Sequence, residues 1–406
     1  MTNLNKTGKK SLVKNRLTLV ILSIAIATSV LGAGIIVPFL PMYAESMGAN
    51  GLWLGIVFSS FSVSRACFMP VIGSLSDKKG RKIFISSGLL IYSLVSLAYV
   101  AADSPLALTL VRFGHGFASA MVLPIATAYV ADITPKNQEG AYIGWFQAAF
   151  FCGFGLGPLM GGLVKDFFGI NANFYAMGIL SFLAFILIIL RIPELNQSVL
   201  ERKEEKKTTC QMMLKSKTIQ AVFVIRFATA FCRGTVLVFF PVLAHNVLHL
   251  SSSTIGMVMS AYILLTGILQ RPFGKLADRF NRVAMVVCGS FITIVAICML
   301  GLTDNLSQVI ALSLCLAIGG GISIPAMTAI TIEHGKAMKY GMGMLMGIFY
   351  LAVALGLATG PVLNGLIFDR IGLEASFFCG GAILFVGTAI FCFLVIIPAI
   401  PDVRHS

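Results

Sequence analysis

The sequence predicts an all-α membrane protein in which twelve transmembrane helices form two pseudo-symmetric six-helix bundles. Three observations support this fold class: an apolar composition, twelve long apolar stretches, and a repeat that relates the two halves of the chain. Of the 406 residues, 57% are apolar and only 11% are charged, and the mean hydropathy is +0.92. A water-soluble fold needs a larger polar surface than this composition supplies, so lipid must surround most of the chain.

The twelve apolar stretches are the predicted membrane spans, numbered 1 to 12 in chain order. An α-helix needs about 20 residues to cross a hydrocarbon core of roughly 30 Å. Stretches of this length occupy residues 17–43, 51–73, 83–101, 106–130, 141–164, 172–191, 219–244, 253–274, 283–302, 306–331, 341–366 and 375–397.

A polar stretch between spans 6 and 7 divides the spans six and six. It contains the run ERKEEKK at 201–207, which is typical of a solvated linker. The predicted domains are a cytoplasmic tail (1–16), an N-terminal six-helix bundle (17–192), a cytoplasmic linker (193–217), a C-terminal six-helix bundle (218–397) and a C-terminal tail (398–406).

The net charge of +14 could suggest a nucleic-acid partner, but the positions of the 30 Lys and Arg residues argue against one. Most of them lie in the N-terminal tail and in the links on the same side of the membrane, whereas Lys165 and Arg370 alone fall in links on the other side. This is the positive-inside pattern, so we expect both termini to be cytoplasmic. Span 1 is too long for a signal-peptide core and no small-residue cleavage site follows it, so we expect it to be retained.

No pattern of catalytic or metal-binding residues occurs. The nine cysteines are scattered without CxxC spacing or a histidine cluster, and we interpret them as packing residues rather than ligands or disulfides. We find no Ser/His/Asp set, no paired carboxylates at one depth and no Walker-type phosphate loop. The sequence therefore predicts no enzyme, no cofactor and no use of ATP.

The two halves share rare residues at constant offsets. An offset of 201 residues pairs Gly73 with Gly274, Asp77 with Asp278, Arg81 with Arg282, Pro124 with Pro325, and Asp132 with Glu333. An offset of 203 then pairs Gly153, Gly157, Pro158 and Gly162 with Gly356, Gly360, Pro361 and Gly365. Such duplication is the usual way in which a transporter builds two bundles that rock about a central site.

The link between spans 2 and 3 has the sequence GSLSDKKGRK (73–82), and the second half has a weaker copy, GKLADRFNR (274–282). The first sequence closely resembles the GxLaDrxGRk motif of the major facilitator superfamily. In the copy, Asn281 replaces the second glycine. A link this short must turn tightly, and Gly80 can adopt a positive φ there.

The resemblance implies that charges around this link form a latch that favours one alternating-access state. The predicted latch consists of Gly73, Asp77, Gly80, Arg81 and Asp132, with Asp278, Arg282 and Glu333 in the copy. The alternative is that these charges only set the topology.

Span 4 contains RFGHGFASA (112–120), which is similar to the RxxqG motif of the family with His115 in the glutamine position. Arg112 lies about five turns from the cytoplasmic end of the helix, and a charge within a span is costly unless it faces water, a partner or a ligand. We favour a role for Arg112 in the substrate cavity or in proton coupling over a packed arginine. His115 could carry the coupling proton, or it could be a hydrogen-bonded packing residue.

Span 5 contains GFGLGPLMGG (153–162), which resembles the GxxxGPxxGG motif of exporters in the family, and span 11 repeats it at 356–365. Glycines four residues apart allow another helix to approach closely, and a proline removes a backbone hydrogen bond and kinks the helix. The predicted packing residues are Gly153, Gly157, Pro158, Gly161, Gly162, Gly356, Gly360 and Pro361.

Span 1 contains LG at 31–32 and PFLP at 38–41, which is similar to the lgxxxxxPvxP motif of twelve-helix drug exporters. The resemblance covers nearly the whole chain and points to the drug:proton antiporter branch. It implies the major facilitator fold, proton-coupled efflux of small amphipathic or drug-like molecules, and a monomer in a bacterial inner membrane.

The chain departs from that branch in its intramembrane charges. We find no carboxylate deep in a span, whereas Arg65, Arg112, Arg226 and Arg233 lie within spans, the last two on one face of span 7. A basic cavity attracts anions, so an importer or exchanger of organic anions is the alternative function. A channel or a non-transporting receptor is the alternative from another class.

Overall fold

The computed structural model describes residues 2–135, 138–194, 216–338 and 342–396. Thirteen α-helices and no strand occur in these ranges. The helices are α1 (Thr2–Ile36), α2 (Leu40–Ser46), α3 (Gly51–Lys79), α4 (Arg81–Ala101), α5 (Pro105–Ile133), α6 (Glu139–Phe168), α7 (Ile170–Arg191), α8 (Lys217–Val242), α9 (Ser252–Ala277), α10 (Arg282–Leu300), α11 (Leu306–Ala337), α12 (Met342–Arg370) and α13 (Leu373–Ile396). Most of the predicted linker and the C-terminal tail lie outside the described residues.

The predicted fold class is confirmed, because twelve helical segments are long and apolar enough to cross a membrane. The first of these segments combines α1 and α2. A break at 37–39 separates the two helices, and it contains Pro38, which has no backbone N–H for helical bonding. Helix α1 begins at Thr2, so the helix of span 1 also includes most of the predicted tail.

The link between α3 and α4 is shorter than predicted. Helix α3 continues to Lys79, so the expected link over residues 74–82 consists of Gly80 alone. Hydropathy marks where the bilayer ends, but the residues after Gly73 are compatible with a helix and extend it beyond that point. The positive φ expected at Gly80 is confirmed by its value of 96°.

The corresponding link of the second half is built differently. Asn281 has a φ of −64°, and its side-chain oxygen accepts hydrogen bonds from the N–H groups of Val283 (2.9 Å) and Ala284 (3.2 Å). A side-chain N-cap of α10 therefore stands where the first half has a glycine turn.

The chain forms two compact units. Unit 1 consists of Met1–Tyr43, Val63–Lys203 and Ser251–Ser260, and unit 2 consists of Ala44–Ser62, Glu204–Leu250 and Ala261–Ser406. Within unit 1, α1 packs on α6 and α7, and α4 packs on α5 and α7; within unit 2, α8 packs on α12 and α13, and α10 packs on α11 and α13. The repeat relates these two sets of helix pairs one to one. Helices α3 and α9 each begin in one unit and end in the other.

Candidate substrate and coupling site

Arg112 and His115 lie one turn apart on α5 in unit 1, and both are buried, with exposed fractions of 4% and 1%. The hydroxyl of Tyr99, near the end of α4, lies 2.9 Å from His115 Nδ1, and Arg112 Nη1 lies 3.2 Å from the same nitrogen. Arg112 Nη1 is also 3.5 Å from the Tyr99 hydroxyl. Arginine only donates hydrogen bonds, so Nδ1 must be the acceptor when Arg112 binds it.

Aromatic rings enclose this cluster. Tyr92 meets the His115 ring edge-on at 4.6 Å between centroids, and Phe174 stacks on Tyr99 at 5.1 Å. Arg65, from α3, interacts electrostatically with Tyr92. The structure therefore brings three of the predicted site residues into one neighbourhood. The sequence interpretation missed Tyr92 and Tyr99, although their spacing of seven residues places both on one face of α4.

Arg226 and Arg233 lie two turns apart on α8 in unit 2. The guanidinium of Arg226 lies 4.5 Å from the centroid of the Phe349 ring, which α12 supplies. The face of an aromatic ring attracts a cation, so Phe349 compensates part of the charge of Arg226. In the described part of the chain neither arginine forms an ion pair with a carboxylate, and their own charges repel each other. No sequence pattern indicated Phe349, because its position opposite α8 is a tertiary feature.

A small cavity of about 10 Å³ adjoins this site toward the start of α8. It is lined mainly by apolar side chains, among them Val222 and Phe349, with His334 on its polar side. His334 Nε2 lies 2.8 Å from the hydroxyl of Ser216. A cavity of this size has room for about one water molecule.

The predicted latch residues of the first half meet in unit 1. Arg81 pairs with Asp77 at 2.8 Å and with Asp132, and its Nη1 is 3.4 Å from the Ser76 hydroxyl. The side chains of Arg81 and Asp132 are buried, with exposed fractions of 6% and 5%, whereas that of Asp77 is 60% exposed. A side chain at Gly80 would collide with the carboxylate of Glu194.

The copy in unit 2 assembles only in part. Arg282 pairs with Glu333, and its Nε donates to the carbonyl of Ala277 at 2.9 Å. Over the described ranges Asp278 forms no ion pair. A Cβ added to Gly73 would meet no atom within 4 Å, so packing does not require a glycine there.

The glycines of the two packing motifs lie against neighbouring backbones. Gly153, Gly157 and Gly161 form a ridge on α6 that faces α1, and a Cβ added to Gly157 would lie 2.6 Å from the Cα of Gly34. The other motif glycines also leave no room for a side chain, because Gly162 faces Ser252, and Gly356 and Gly360 face Phe227 and Phe231 of α8. Pro361 packs on Gly234 of α8, where an added Cβ would lie 3.0 Å from the proline ring. Helix α6 continues through Pro158 as one helix.

Comparison with known proteins gives consistent matches along most of the chain. The model of the Major Facilitator Superfamily matches residues 22–226 and 222–406. The chain is 30% identical over 350 residues to an MFS-type transporter of Methanocaldococcus jannaschii, which covers 85% of this chain and 90% of that protein. It is 24% identical over 361 residues to the quinolone resistance protein NorA of Staphylococcus aureus, covering 89% and 92%.

The fold is also found among solved structures. A bacterial homologue of the human lysosomal transporter Spinster superposes with a TM-score of 0.80 at 15% identity, covering 94% of this chain and 97% of that chain. The duplicated helix pairs, the GSLSDKKGRK link and these matches lead to one conclusion. The chain belongs to the major facilitator superfamily and is a multi-pass membrane transporter, not an enzyme.

Proposed function

We propose that this transporter exports small amphipathic molecules, including drug-like compounds, in exchange for protons. The observation that carries the proposal is the likeness to a quinolone resistance protein, which extends over 89% of this chain and 92% of that protein. The exporter-type sequence GFGLGPLMGG supports the same direction of transport. The sequence contains no Walker-type phosphate loop, so an ion gradient is the expected source of energy.

The test is drug tolerance and dye efflux in a bacterial host whose own exporters are deleted. Cells that produce the protein should grow at severalfold higher concentrations of a fluoroquinolone and should extrude ethidium faster than cells that carry an empty vector. A protonophore should abolish both differences. Equal tolerance in the two strains, together with ethidium efflux that does not respond to the protonophore, would refute the proposal.

His115 is our candidate for the group that carries the coupling proton. Imidazole is the side chain that titrates nearest neutrality, and His115 Nδ1 lies within hydrogen-bond distance of Arg112 and Tyr99. A proton taken up at Nδ1 would have to displace the contact with Arg112, because both groups would then be donors. Proton uptake would in this way break a contact within α5 and make His115 the donor in its hydrogen bond with the Tyr99 hydroxyl of α4.

We expect His115→Gln to abolish transport driven by an imposed pH gradient in proteoliposomes while leaving substrate counterflow without a gradient. Glutamine fills a similar volume and keeps polar atoms, but it does not titrate. The matched control is His245→Gln, at an exposed histidine after α8. If His115→Gln transports like the unmodified protein under a pH gradient, His115 is a packing residue.

Organic anions are the second candidate substrate class, carried by an importer or exchanger. The observation that favours them is the pair Arg226 and Arg233, which forms no ion pair with a carboxylate within the described ranges. Transport of labelled anions and cations into proteoliposomes separates the two classes. A preference for anions that Arg233→Ala removes, and that Arg370→Ala at the exposed end of α12 leaves intact, would support this candidate. A preference for cations that survives Arg112→Ala and Arg233→Ala would exclude it.

We further propose a monomer in a bacterial inner membrane with both termini in the cytoplasm. The concentration of Lys and Arg in the tail and in the links on the same side supports this orientation. A fluorescent protein fused to the C-terminus should fold and fluoresce, whereas one inserted at Asp103, after α4, should not. A channel or a receptor would show no saturable counterflow, which separates those classes from a transporter.

A further inference from the structure

A carboxylate at the end of α12 binds the first backbone N–H groups of α3 in unit 2. Asp369 Oδ1 accepts a hydrogen bond from the N–H of Gly51 at 2.6 Å, and its Oδ2 accepts one from the N–H of Leu52 at 2.9 Å. Gly51 is the first residue of α3, and Asp369 is the last but one of α12. Both lie at distal helix ends, which we define as the ends on the side of the membrane opposite to the N-terminal tail.

Unit 1 contains the equivalent contact between α6 and α9. Asp166 Oδ1 accepts from the N–H of Ser252 at 3.2 Å, and its Oδ2 accepts from the N–H of Ser253 at 2.7 Å and from the Ser253 hydroxyl at 2.5 Å. The repeat relates the two contacts part by part, because the offset of 203 pairs Asp166 with Asp369 and the offset of 201 pairs Gly51 with Ser252. We call the two contacts the distal caps.

Each distal cap has a plain electrostatic basis. The first N–H groups of an α-helix have no partner within the helix, and the aligned peptide dipoles make this end positive. A carboxylate that accepts from two of these groups forms charge-assisted hydrogen bonds along the dipole, which are stronger than bonds between neutral groups.

Tight packing accompanies both caps. Side chains at Gly55 and Gly365 would collide with backbone of the partner helix in unit 2, and side chains at Gly162 and Gly256 would do so in unit 1. One turn further along, Ser59 donates to the carbonyl of Ala358 in unit 2. Each cap therefore lies at the end of a closely packed helix pair and is not an isolated surface contact.

Each cap also joins helices from different halves of the sequence. Helix α3 belongs to the first half and α12 to the second, and α6 and α9 are related in the same way. In an alternating-access transporter, contacts between the halves on one side must separate when that side opens. We propose that Asp166 and Asp369 are positioning residues that hold the distal side closed, and that the two distal caps open together in one conformational step.

Hydrogen–deuterium exchange of the purified full-length protein tests this directly, because the capped groups are themselves backbone amides. Asp369→Asn removes the charge at constant size, and we expect the exchange of residues 51–54 to become about tenfold faster, the factor that corresponds to the loss of one charged hydrogen bond. If the caps open together, the exchange of residues 252–255 should rise as well, and Asp166→Asn should raise the exchange of both segments. Faster exchange confined to the substituted cap, or no change in either, would overturn the proposal.

The matched control is Asp103→Asn, at an exposed distal carboxylate in the link after α4. It should leave both segments unchanged. If an Asn variant does not purify as a folded protein, Asp369→Glu keeps the charge but displaces it by one methylene, and a smaller increase in both segments is then expected. The measurement uses no substrate and no ion gradient. A negative exchange result would therefore not contradict the proposed drug efflux, and a negative efflux result would not contradict the role of the caps.

Discussion

Two arginines at equivalent positions of the repeat, Arg81 and Arg282, have different surroundings. Arg81 and its partner Asp132 are buried, with side-chain exposures of 6% and 5%, whereas Arg282 is 26% exposed and its partner Glu333 is 69% exposed. Removing one partner of a buried ion pair leaves an uncompensated charge in a medium of low dielectric constant. Water compensates the same loss at an exposed pair, so the two copies of the motif should contribute differently to stability.

We therefore expect Asp132→Asn to lower the free energy of unfolding by about 3 kcal/mol and Glu333→Gln to lower it by less than about 1 kcal/mol. The 60% exposed carboxylate of Asp77 keeps one contact with Arg81, which places the first value at the low end for a buried pair. Denaturant unfolding of both variants in one detergent gives the comparison. Equal losses would mean that Arg81 reaches water.

Gly80 and Gly48 both adopt a positive φ, 96° and 81° respectively, but only Gly80 has a neighbour at the position of a Cβ, the carboxylate of Glu194. Alanine at either position should cost about 1–3 kcal/mol of backbone strain. We expect Gly80→Ala to cost more than Gly48→Ala, because Glu194 must also move. Unfolding of Gly80→Ala in a Glu194→Ala background checks the cause. If the extra cost of Gly80→Ala persists without the carboxylate, the collision does not explain it.

At the scale of the helix, small residues determine how α6 and α12 meet their neighbours. Gly153, Gly157 and Gly161 of α6 lie against the backbone of α1, and Gly356 and Gly360 of α12 lie against α8. In lipid the hydrophobic effect does not drive helices together, so the close contact of backbones supplies much of the attraction. These interfaces should be intolerant of any added side chain.

Gly157→Ala should lower the free energy of unfolding by about 1–3 kcal/mol, because its Cβ would lie 2.6 Å from the Cα of Gly34. Gly144→Ala is the matched control on the same helix, since its Cβ would meet no atom within 4 Å. Both variants lose the same flexibility of glycine, so the difference between them isolates the collision. Thermal unfolding in detergent measures it. If Gly144→Ala is as unstable as Gly157→Ala, the loss comes from placing alanine in α6 and not from the collision with α1.

The helices were predictable from the sequence because a lipid environment leaves few alternatives for an apolar stretch of about 20 residues. The ends of the helices were less predictable. Helix α3 runs to Lys79, past the point at which its hydropathy falls, because helical hydrogen bonding does not stop at the surface of the bilayer. The turn at Gly80 was predicted from the residue type alone. Asn281 was not expected to act as a cap, although its place before an apolar run is a recognised N-cap signal.

At the scale of the whole molecule, the sequence predicted which residues repeat but not which helices meet. The offset of 203 that relates the packing motifs also relates Asp166 to Asp369, so the duplication of these carboxylates was visible in the sequence. Their partners at the starts of α9 and α3 were not, because they lie in the opposite half of the chain. For the same reason Phe349 could not be predicted as the partner of Arg226.

The composition of the units predicts how a divided chain will behave. Unit 1 includes Ser251–Ser260 from the second half, and unit 2 includes Ala44–Ser62 from the first half. A chain divided after residue 203 should therefore give two fragments that are each poorly recovered alone, because each lacks a segment against which its glycines pack. Co-expression should restore a complex that copurifies through a tag on either fragment.

Gly256→Leu in the second fragment tests whether the packing of Ser251–Ser260 on the first fragment causes the copurification. This side chain would collide with the backbone of Pro158 in the first fragment, so we expect severalfold less copurified complex. Met257→Leu is the matched control, since Met257 follows Gly256 in the chain, its side chain is 58% exposed and the change conserves volume. Recovery of fragment 1–203 alone, with the unfolding temperature of the undivided chain, would show that unit 1 is stable without Ser251–Ser260. The proposed opening of the distal caps separates these contacts in each cycle, so they should be strong enough to assemble the fragments and weak enough for the conformational change of the intact transporter to break them.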